Sequence, residues 1–258
     1  MIKRKSAVIA VAYVALLHLS PVYAQKKAEL ITTVWADKTI VADGNLGDWQ
    51  DSLTYYNDAT RLRYSLANDD KNIYLALKSD SREDLTRILA GGISFSANIE
   101  GKKKDPPTVI FPVLDRTPGK PRNIKEQPEM EERQNQILSR IKDIKVRGFK
   151  EIIDGGISLQ NMYGIRAAAG FDKENKLVQE IIIPLSLLNL SISNPGDVIY
   201  NIKINGLPGP SANMSRQNMP RQQMGGMYGS PFPQRSMPLN KLQTSTDFYI
   251  KSSLATRQ

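Results

Sequence analysis

The sequence predicts a mainly β fold, because polar and apolar residues alternate along several runs that turn residues separate. Residues 61–66 alternate with the period of two that half-buried strands show, and the apolar run 73–78 is the next predicted strand. The polar run 68–72 lies between them, which indicates a β-hairpin. Residues 92–99 alternate in the same way and predict a third strand.

Strands are expected along most of the remaining chain. Residues 31–41 are rich in β-branched side chains, and residues 177–183 form an apolar run that ends at Pro184. Further strands are predicted at 109–114, 157–163, 164–171, 198–207 and 246–252. Of these, the runs 157–163 and 164–171 could pair with each other.

One long amphipathic helix is predicted at residues 128–147, within an insertion that spans 101–150. Pro128 suits a first helical turn, and acidic residues near the start with basic residues near the end match the helix dipole. Gly148 is expected to end the helix. The stripe that would pack against the sheet consists of Met130, Ile137, Ile141 and Ile144.

Residues 208–240 are of low complexity, with Met, Pro, Gln, Ser and Gly and no acidic residue. Such a composition cannot bury a core, so this stretch is predicted as a disordered loop rather than a domain linker. Its thioethers leave a Cu(I) site as an alternative role, since soft ligands select that ion.

The N-terminus has the layout of a secretory signal peptide. Basic residues 3–5 precede the apolar run 7–19, and small residues at Val22 and Ala24 suit a signal peptidase. The apolar run is shorter than the ~20 residues of a spanning helix. We therefore predict that residues 1–24 are cleaved off. Residues 25–258 would form one periplasmic or secreted domain without a membrane span.

The composition excludes several kinds of catalytic site. The chain has no Cys, and its single His is His18, within the predicted signal peptide. The mature chain would thus lack the imidazole or thiol that nucleophilic triads and most zinc sites need. Paired carboxylates remain chemically possible, but the sequence brings no two acids together. No catalytic residue is assigned, and we do not expect an enzyme.

The net charge of +9 leaves two interpretations open. A positive chain can favour anionic partners such as acidic glycans or lipid headgroups, or the charge can simply maintain solubility. Nucleic acid is not an expected partner, because an exported chain does not meet it and no nucleic-acid motif is present.

Three motifs resemble the family 9 carbohydrate-binding modules and their DOMON-like relatives. The first is Asp43-Gly44-Asn45-Leu46-Gly47-Asp48-Trp49. The second is the strand pair around Asp69-Asp70, with Tyr74 opening the second strand, and the third is Glu180-Ile181-Ile182-Ile183-Pro184. Their order agrees with that family over roughly residues 31–207, plus the closing strand.

This resemblance implies an antiparallel, jelly-roll-like β-sandwich that binds glycans and often holds structural calcium. Leu46 and Trp49 would then plug the end of the sandwich, because a Trp side chain buries a large apolar area. Tyr74 is likewise expected to be packed.

The matching motifs do not include the exposed Trp pair with which sugar-binding members of the family hold a glycan. The candidate ligand contacts are Trp35, Tyr55, Tyr56 and Glu180, and the candidate calcium donors are Asp58, Asp69 and Asp70. Glu180 could instead form a cross-strand ion pair. Two functions stay open at this point, an envelope glycan-binding protein and an envelope adaptor that binds another protein.

Overall fold

The computed structural model describes residues 28–50, 52–99, 104–115, 129–193, 196–207 and 242–257. The predicted signal peptide at 1–24 and the low-complexity stretch 208–240, with its methionines, lie outside these ranges. Cleavage, disorder and Cu(I) binding therefore stay predictions.

Two facing β-sheets make up most of the described chain, which confirms the predicted mainly β sandwich. The seven-stranded sheet has the order β1 (Glu29–Leu30), β13 (Thr246–Ser252), β12 (Val198–Ile204), β6 (Ile93–Ile99), β7 (Thr108–Leu114), β8 (Ile141–Arg147) and β9 (Gly155–Ser158). The six-stranded sheet has the order β10 (Arg166–Phe171), β11 (Leu177–Pro184), β5 (Asn72–Ser79), β4 (Leu62–Asn68) and β2 (Val34–Trp35), while β3 (Tyr55–Asn57) also pairs with β4.

The pairing is antiparallel apart from two short parallel contacts, β1 with β13 and β2 with β4. Those contacts take the place of the longer first strand predicted at 31–41. After Trp35 the chain leaves the sheet and crosses its outer surface, so only two residues of that run pair in β2.

Alternate residues of the strands face inwards and form one core between the sheets. Tyr64 of β4 meets Phe248 of β13 across the core, with ring centroids 5.1 Å apart. Phe95 and Tyr200 stack within the seven-stranded sheet at 5.6 Å. The predicted hairpin is present as β4 and β5, and the predicted closing strand at 246–252 is β13.

The predicted long helix is wrong over its second half. Helix α2 spans Met130–Leu138, and Ile141–Arg147 is strand β8 inside the seven-stranded sheet. The pairing of β8 with β7 shifts register beside Val113, which inserts Lys142 as an extra residue. That bulge separates the buried Ile141 and Ile144 by three positions, a spacing that imitates a helix. Residues 101–150 therefore contribute two strands to the sandwich.

The proposed pairing of 157–163 with 164–171 is also wrong, because β9 and β10 lie in different sheets. The chain crosses between them through residues 159–165. The amide of Asn161 donates to the carbonyls of Ser158 and Ile165, at 2.9 and 2.7 Å, and fixes this crossing.

Helix α1, at Arg82–Gly91, is absent from the sequence prediction. Ser81 caps it by accepting a hydrogen bond from Asp84 N at 3.3 Å. Leu85, Ile88 and Leu89 face the core and have the spacing of an apolar helix face. This short pattern was missed because predicted strands lie on both sides of it. None of the helices in the described ranges is long and apolar enough to cross a membrane.

Two buried tyrosines of the core provide a matched test of its packing. The Tyr64 hydroxyl donates to Glu29 Oε2 at 2.9 Å. Within the described residues, the Tyr200 hydroxyl has no hydrogen-bond partner. We expect Tyr200→Phe to raise the free energy of unfolding by about 1 kcal/mol, since a buried hydroxyl without a partner is costly. Tyr64→Phe should lower it by a similar amount. Urea denaturation of both variants checks this, and equal losses would contradict it.

Candidate functional site

The outer face of the six-stranded sheet is covered by residues 36–50, which we term the cover segment. Ile40 packs there against Tyr74 and Ile182, which point away from the core. Leu46 packs against Ala76 and Val178 of the same face. Trp49 contacts both of these apolar groups, so one indole joins the two halves of the cover.

A single buried carboxylate holds the cover segment in place. Glu180, on β11, accepts hydrogen bonds at Oε2 from the backbone N–H groups of Asp43 and Gly44, at 3.0 and 2.9 Å. Its Oε1 accepts from Trp49 Nε1 at 2.9 Å. Glu180 is only 1% exposed, and no ion pair to it occurs among the described residues. Neutral donors alone therefore satisfy its charge.

Burial raises the pKa of Glu180 above its ordinary value, although the hydrogen bonds from Gly44, Trp49 and Asp43 act in the opposite direction. The carboxyl group is thus more easily protonated in the folded protein than in the unfolded chain.

The sequence around Gly44 makes this close contact possible. Gly44 has φ +86, and a Cβ there would lie 2.7 Å from the carbonyl group of Ala169 on β10. Asp43 accepts from Asn45 N at 2.9 Å and Asn45 accepts from Gly47 N at 2.8 Å, which closes successive turns. The chain then enters the short 3-10 helix Gly47–Trp49, which directs the indole towards Glu180.

These positions correct two expectations. Glu180 is not available as a ligand contact, because both of its oxygens bind the protein itself beneath the cover segment. Leu46 and Trp49 do not plug the end of the sandwich. They pack on the outer face of one sheet, and Trp49 is half-buried.

Tyr74 is packed, as predicted, and is 3% exposed. Its hydroxyl donates to Asp69 Oδ2 at 2.6 Å. Burial and this hydrogen bond raise the pKa of Tyr74 to about 12.

Of the other aromatic candidates, Trp35 and Tyr55 are half-buried. Trp35 lies opposite Asn68 in the β2–β4 pair. Tyr55 stacks on Tyr64 with ring centroids 5.4 Å apart, and its hydroxyl donates to the Thr32 carbonyl at 3.1 Å. Tyr56 differs from both. It is 42% exposed, whereas every other aromatic side chain of the described residues is buried or half-buried.

Tyr56 sits at a corner of the outer face that the cover segment leaves open. It pairs across strands with Arg63, which pairs in turn with Lys78. The guanidinium carbon of Arg63 lies 5.2 Å from the centroid of the Tyr56 ring, a cation–π contact. Arg63 Nε also donates to Asp80 Oδ2 at 2.8 Å, which holds the guanidinium beside the ring.

Ion pairs continue from Asp80 to the turn between β10 and β11. Lys176 Nζ lies 3.1 Å from Asp80 Oδ1 and 2.8 Å from Glu174 Oε2. Lys78 pairs with Asp172 in the same turn. We refer to this set as the Tyr56 corner, which comprises Tyr56, Arg63, Lys78, Asp80, Asp172, Glu174 and Lys176.

Within the corner, the pKa values of Asp172, Glu174 and Lys176 are shifted towards their charged forms. The hydrogen bond to Lys176 lowers the pKa of Glu174 and raises that of Lys176. Burial alone would raise the pKa of Asp172, but its hydrogen bonds from Lys78 and from the backbone of Lys176 and Glu174 lower it overall. An apolar ring thus stands among fixed donors and acceptors, an arrangement that suits a ligand rich in hydroxyl groups.

The candidate calcium donors do not come together. Asp69 Oδ1 already accepts from Lys71 N and Asn72 N, at 2.8 and 2.6 Å. Asp70 instead lines a cleft of about 390 Å³ between the β4–β5 turn and Pro184, which ends β11, while Asp58 lies in the turn after β3. Within the described ranges, no group of three or more acidic or imidazole side chains is placed to hold a metal ion.

The comparisons with known proteins return few matches. No protein-family model and no curated protein matches the chain. Similar solved structures include two of a family 9 carbohydrate-binding module from Caldicellulosiruptor kristjanssonii. The module in complex with glucose is 7% identical over 89% of this chain and 97% of its own, with a TM-score of 0.38. The module in complex with cellotriose is 8% identical over 71% and 78%, with a TM-score of 0.34.

These are the modules that the sequence motifs resemble. At such identities and TM-scores, however, the matches carry no argument about a site or a ligand. The sandwich itself is established by the two sheets of the structure.

Replacing Glu180 by Gln tests its role as the anchor of the cover segment. The amide would keep one acceptor, but its NH2 would confront either the Trp49 N–H or the two backbone N–H groups. We expect a loss of about 1–3 kcal/mol in the free energy of unfolding. Trp49→Phe removes one of the confronted donors, so it should cost less in the Glu180→Gln background than in the wild type. Additive losses in a denaturation cycle would contradict this contact.

The raised pKa of Glu180 predicts that the free energy of unfolding depends on pH. Folding raises the pKa of Glu180, so protonation of this residue stabilises the folded state. That contribution is complete below the ordinary Glu pKa of 4.5. It is lost as the pH rises through the higher folded-state value. We expect the unfolding free energy of the wild type to fall over this window relative to Glu180→Gln, in which residue 180 does not titrate. Urea denaturation at several pH values measures the difference, and a constant difference would refute the assignment.

Proposed function

We propose that the chain is an exported, non-catalytic glycan-binding protein whose ligand contacts the Tyr56 corner. The observation that supports this most directly is the exposed ring of Tyr56, which rests on Arg63 within a network of ion pairs. Sugars present apolar C–H faces together with hydroxyl groups. An aromatic ring beside charged hydrogen-bonding groups is complementary to both.

The corner is organised before any ligand arrives. Arg63 is held by Asp80, and Asp80 is held in turn by Lys176. Side chains that are already fixed lose less conformational freedom on binding, which favours affinity. The cations and anions of the corner are also equal in number, so it suits a neutral glycan better than a strongly charged one.

The non-catalytic part of the proposal draws on the same charges. A glycosidase needs one carboxyl group that stays protonated near neutral pH and can serve as general acid. At the corner, the pKa values of Asp172 and Glu174 are lowered rather than raised. These carboxylates are therefore suited to accepting hydrogen bonds from hydroxyl groups and not to donating a proton.

Substitution of Tyr56 tests the site. We expect Tyr56→Ala to weaken glycan binding by about tenfold, because the stacking surface is lost, whereas Tyr56→Phe keeps most of the affinity. Calorimetric titration with an oligosaccharide panel that includes glucose and cellotriose provides the measurement. Met162→Ala, which changes an exposed side chain next to β10 at the opposite edge of the sheet, is the matched control.

Two results would overturn the proposal. One is the absence of binding to any glycan by the folded wild type, and the other is unchanged binding by Tyr56→Ala. The expected calcium site is tested separately, by measuring the thermal midpoint in calcium and in chelator. A structural calcium ion would make the midpoint fall on chelation.

Export predicts a defined mature N-terminus. When the full chain is expressed in a bacterium with a functional secretion pathway, mass spectrometry of the envelope fraction should find a protein that begins at Gln25. Substitution of Ala24 by a bulky residue should retain the uncleaved form. A cytoplasmic protein that still begins at Met1 would contradict the export proposal while leaving the glycan proposal untouched.

A further inference from the structure

We propose that the Tyr56 corner binds an internal segment of an oligosaccharide that crosses the strands, rather than a single sugar or the end of a glycan chain. This inference rests on the proposed glycan function and specifies the form of the ligand. The groups of the corner follow a line across the six-stranded sheet, and groups at both ends of that line can still form hydrogen bonds.

The strand register places the corner along one row of the outer face. Tyr56 of β3 pairs with Arg63 of β4, which pairs with Lys78 of β5. Lys78 pairs in turn with Val178 of β11. Neighbouring strands are about 4.8 Å apart, so the row from β3 to β11 spans roughly 14 Å. One sugar ring is shorter than this span, whereas an oligosaccharide can follow it.

A series of polar contacts runs from the aromatic ring to the far end of the row. The Arg63 guanidinium lies beside the Tyr56 ring and donates to Asp80 at the end of β5. Asp80 pairs with Lys176, which directly precedes β11, and Lys176 pairs with Glu174 in the β10–β11 turn. Charged groups that can bind hydroxyl groups are therefore present along the whole row.

The end groups of this series keep hydrogen-bonding capacity. Arg63 uses its Nε for Asp80, and its two terminal NH2 groups donate to no partner among the described residues. Glu174 binds Lys176 through Oε2, so in the described part of the chain its Oε1 can accept from a ligand. A ligand that stacked on the ring alone would use the first group and leave the second unused.

The cover segment borders the row on one side. Leu46 and the neighbouring Leu53 pack on Ala76, which lies one row away, and on Val178. Because Val178 is covered, a ligand would pass from Lys78 towards Lys176 rather than over β11 itself. The cover thus keeps the ligand off the rest of the outer face and directs it towards the β10–β11 turn.

Both ends of the row reach exposed positions. Tyr56 is 42% exposed, on a strand that pairs only with β4 among the described strands. The Glu174 side chain is 65% exposed in its turn. A glycan that lies along the row can therefore extend beyond the corner in both directions, as an internal segment requires.

Oligosaccharides of increasing length test the inference. The mature chain is titrated by calorimetry with monosaccharide to pentasaccharide series prepared from cellulose, mannan and xylan. We expect the affinity to rise by about tenfold or more from the monosaccharide to the longer members and then to level off, because added units reach charged hydrogen-bonding groups. Reduction of the terminal sugar of the pentasaccharide to its alditol should leave the affinity unchanged, since internal units make the contacts.

Substitution at the far end of the row provides a second test. Glu174→Ala should lower the ratio of pentasaccharide to monosaccharide affinity by about tenfold, because only the longer ligand reaches this carboxylate. Tyr56→Ala should weaken the binding of both ligands. Lys173→Ala, at an exposed position in the same turn, is the matched control and should keep the wild-type ratio.

Three results would overturn the inference and leave the proposed function standing. They are a monosaccharide that binds as tightly as the pentasaccharide, a loss of binding when the chain end is reduced, and an unchanged affinity ratio in Glu174→Ala. Absence of binding to all three series would also refute the inference. The proposed function itself fails only if the wider glycan panel shows no binding either.

Discussion

The buried carboxylate of Glu180 is the constraint around which one side of this protein is organised. A carboxylate in a nearly dry position must be fully hydrogen-bonded, and here the donors are two backbone N–H groups and an indole N–H of the cover segment. The sheet and its cover therefore depend on each other. Gly44 and Gly170 let the two backbones approach, because a side chain at either position would collide with the opposite chain.

This arrangement shows what the three sequence motifs do in the fold. The Asp43–Trp49 run supplies the donors, Tyr74 lies under the cover on the same face, and Glu180 supplies the acceptor. The motifs thus specify how one sheet face is closed. The exposed aromatic ring lies where the cover segment ends, at Tyr56, which belongs to none of these three motifs, and it contacts Arg63 on the first strand of the second motif.

The sequence was informative wherever a signal was local. Alternation predicted β4 and β6, whose alternate residues face the core, and runs bounded by turn residues predicted β5 and β13. It failed at β8, where the extra Lys142 gave apolar residues a helical spacing. Contacts between residues that are distant in the sequence could not be predicted from local patterns. Glu180 and Trp49 are 131 positions apart, and nothing local shows that this acid is buried or that Asp80 meets Lys176.

The Tyr56 corner is assembled from parts of the chain that are far apart. Tyr56 comes from β3, Arg63 from β4 and Lys176 from the turn before β11. A molecule that contacted all three would link the central strands to that outer turn. Occupancy would then add to the stability of the whole domain in proportion to the logarithm of ligand concentration. Melting temperature, rather than any enzymatic readout, becomes the natural signal by which an unknown ligand can be recognised.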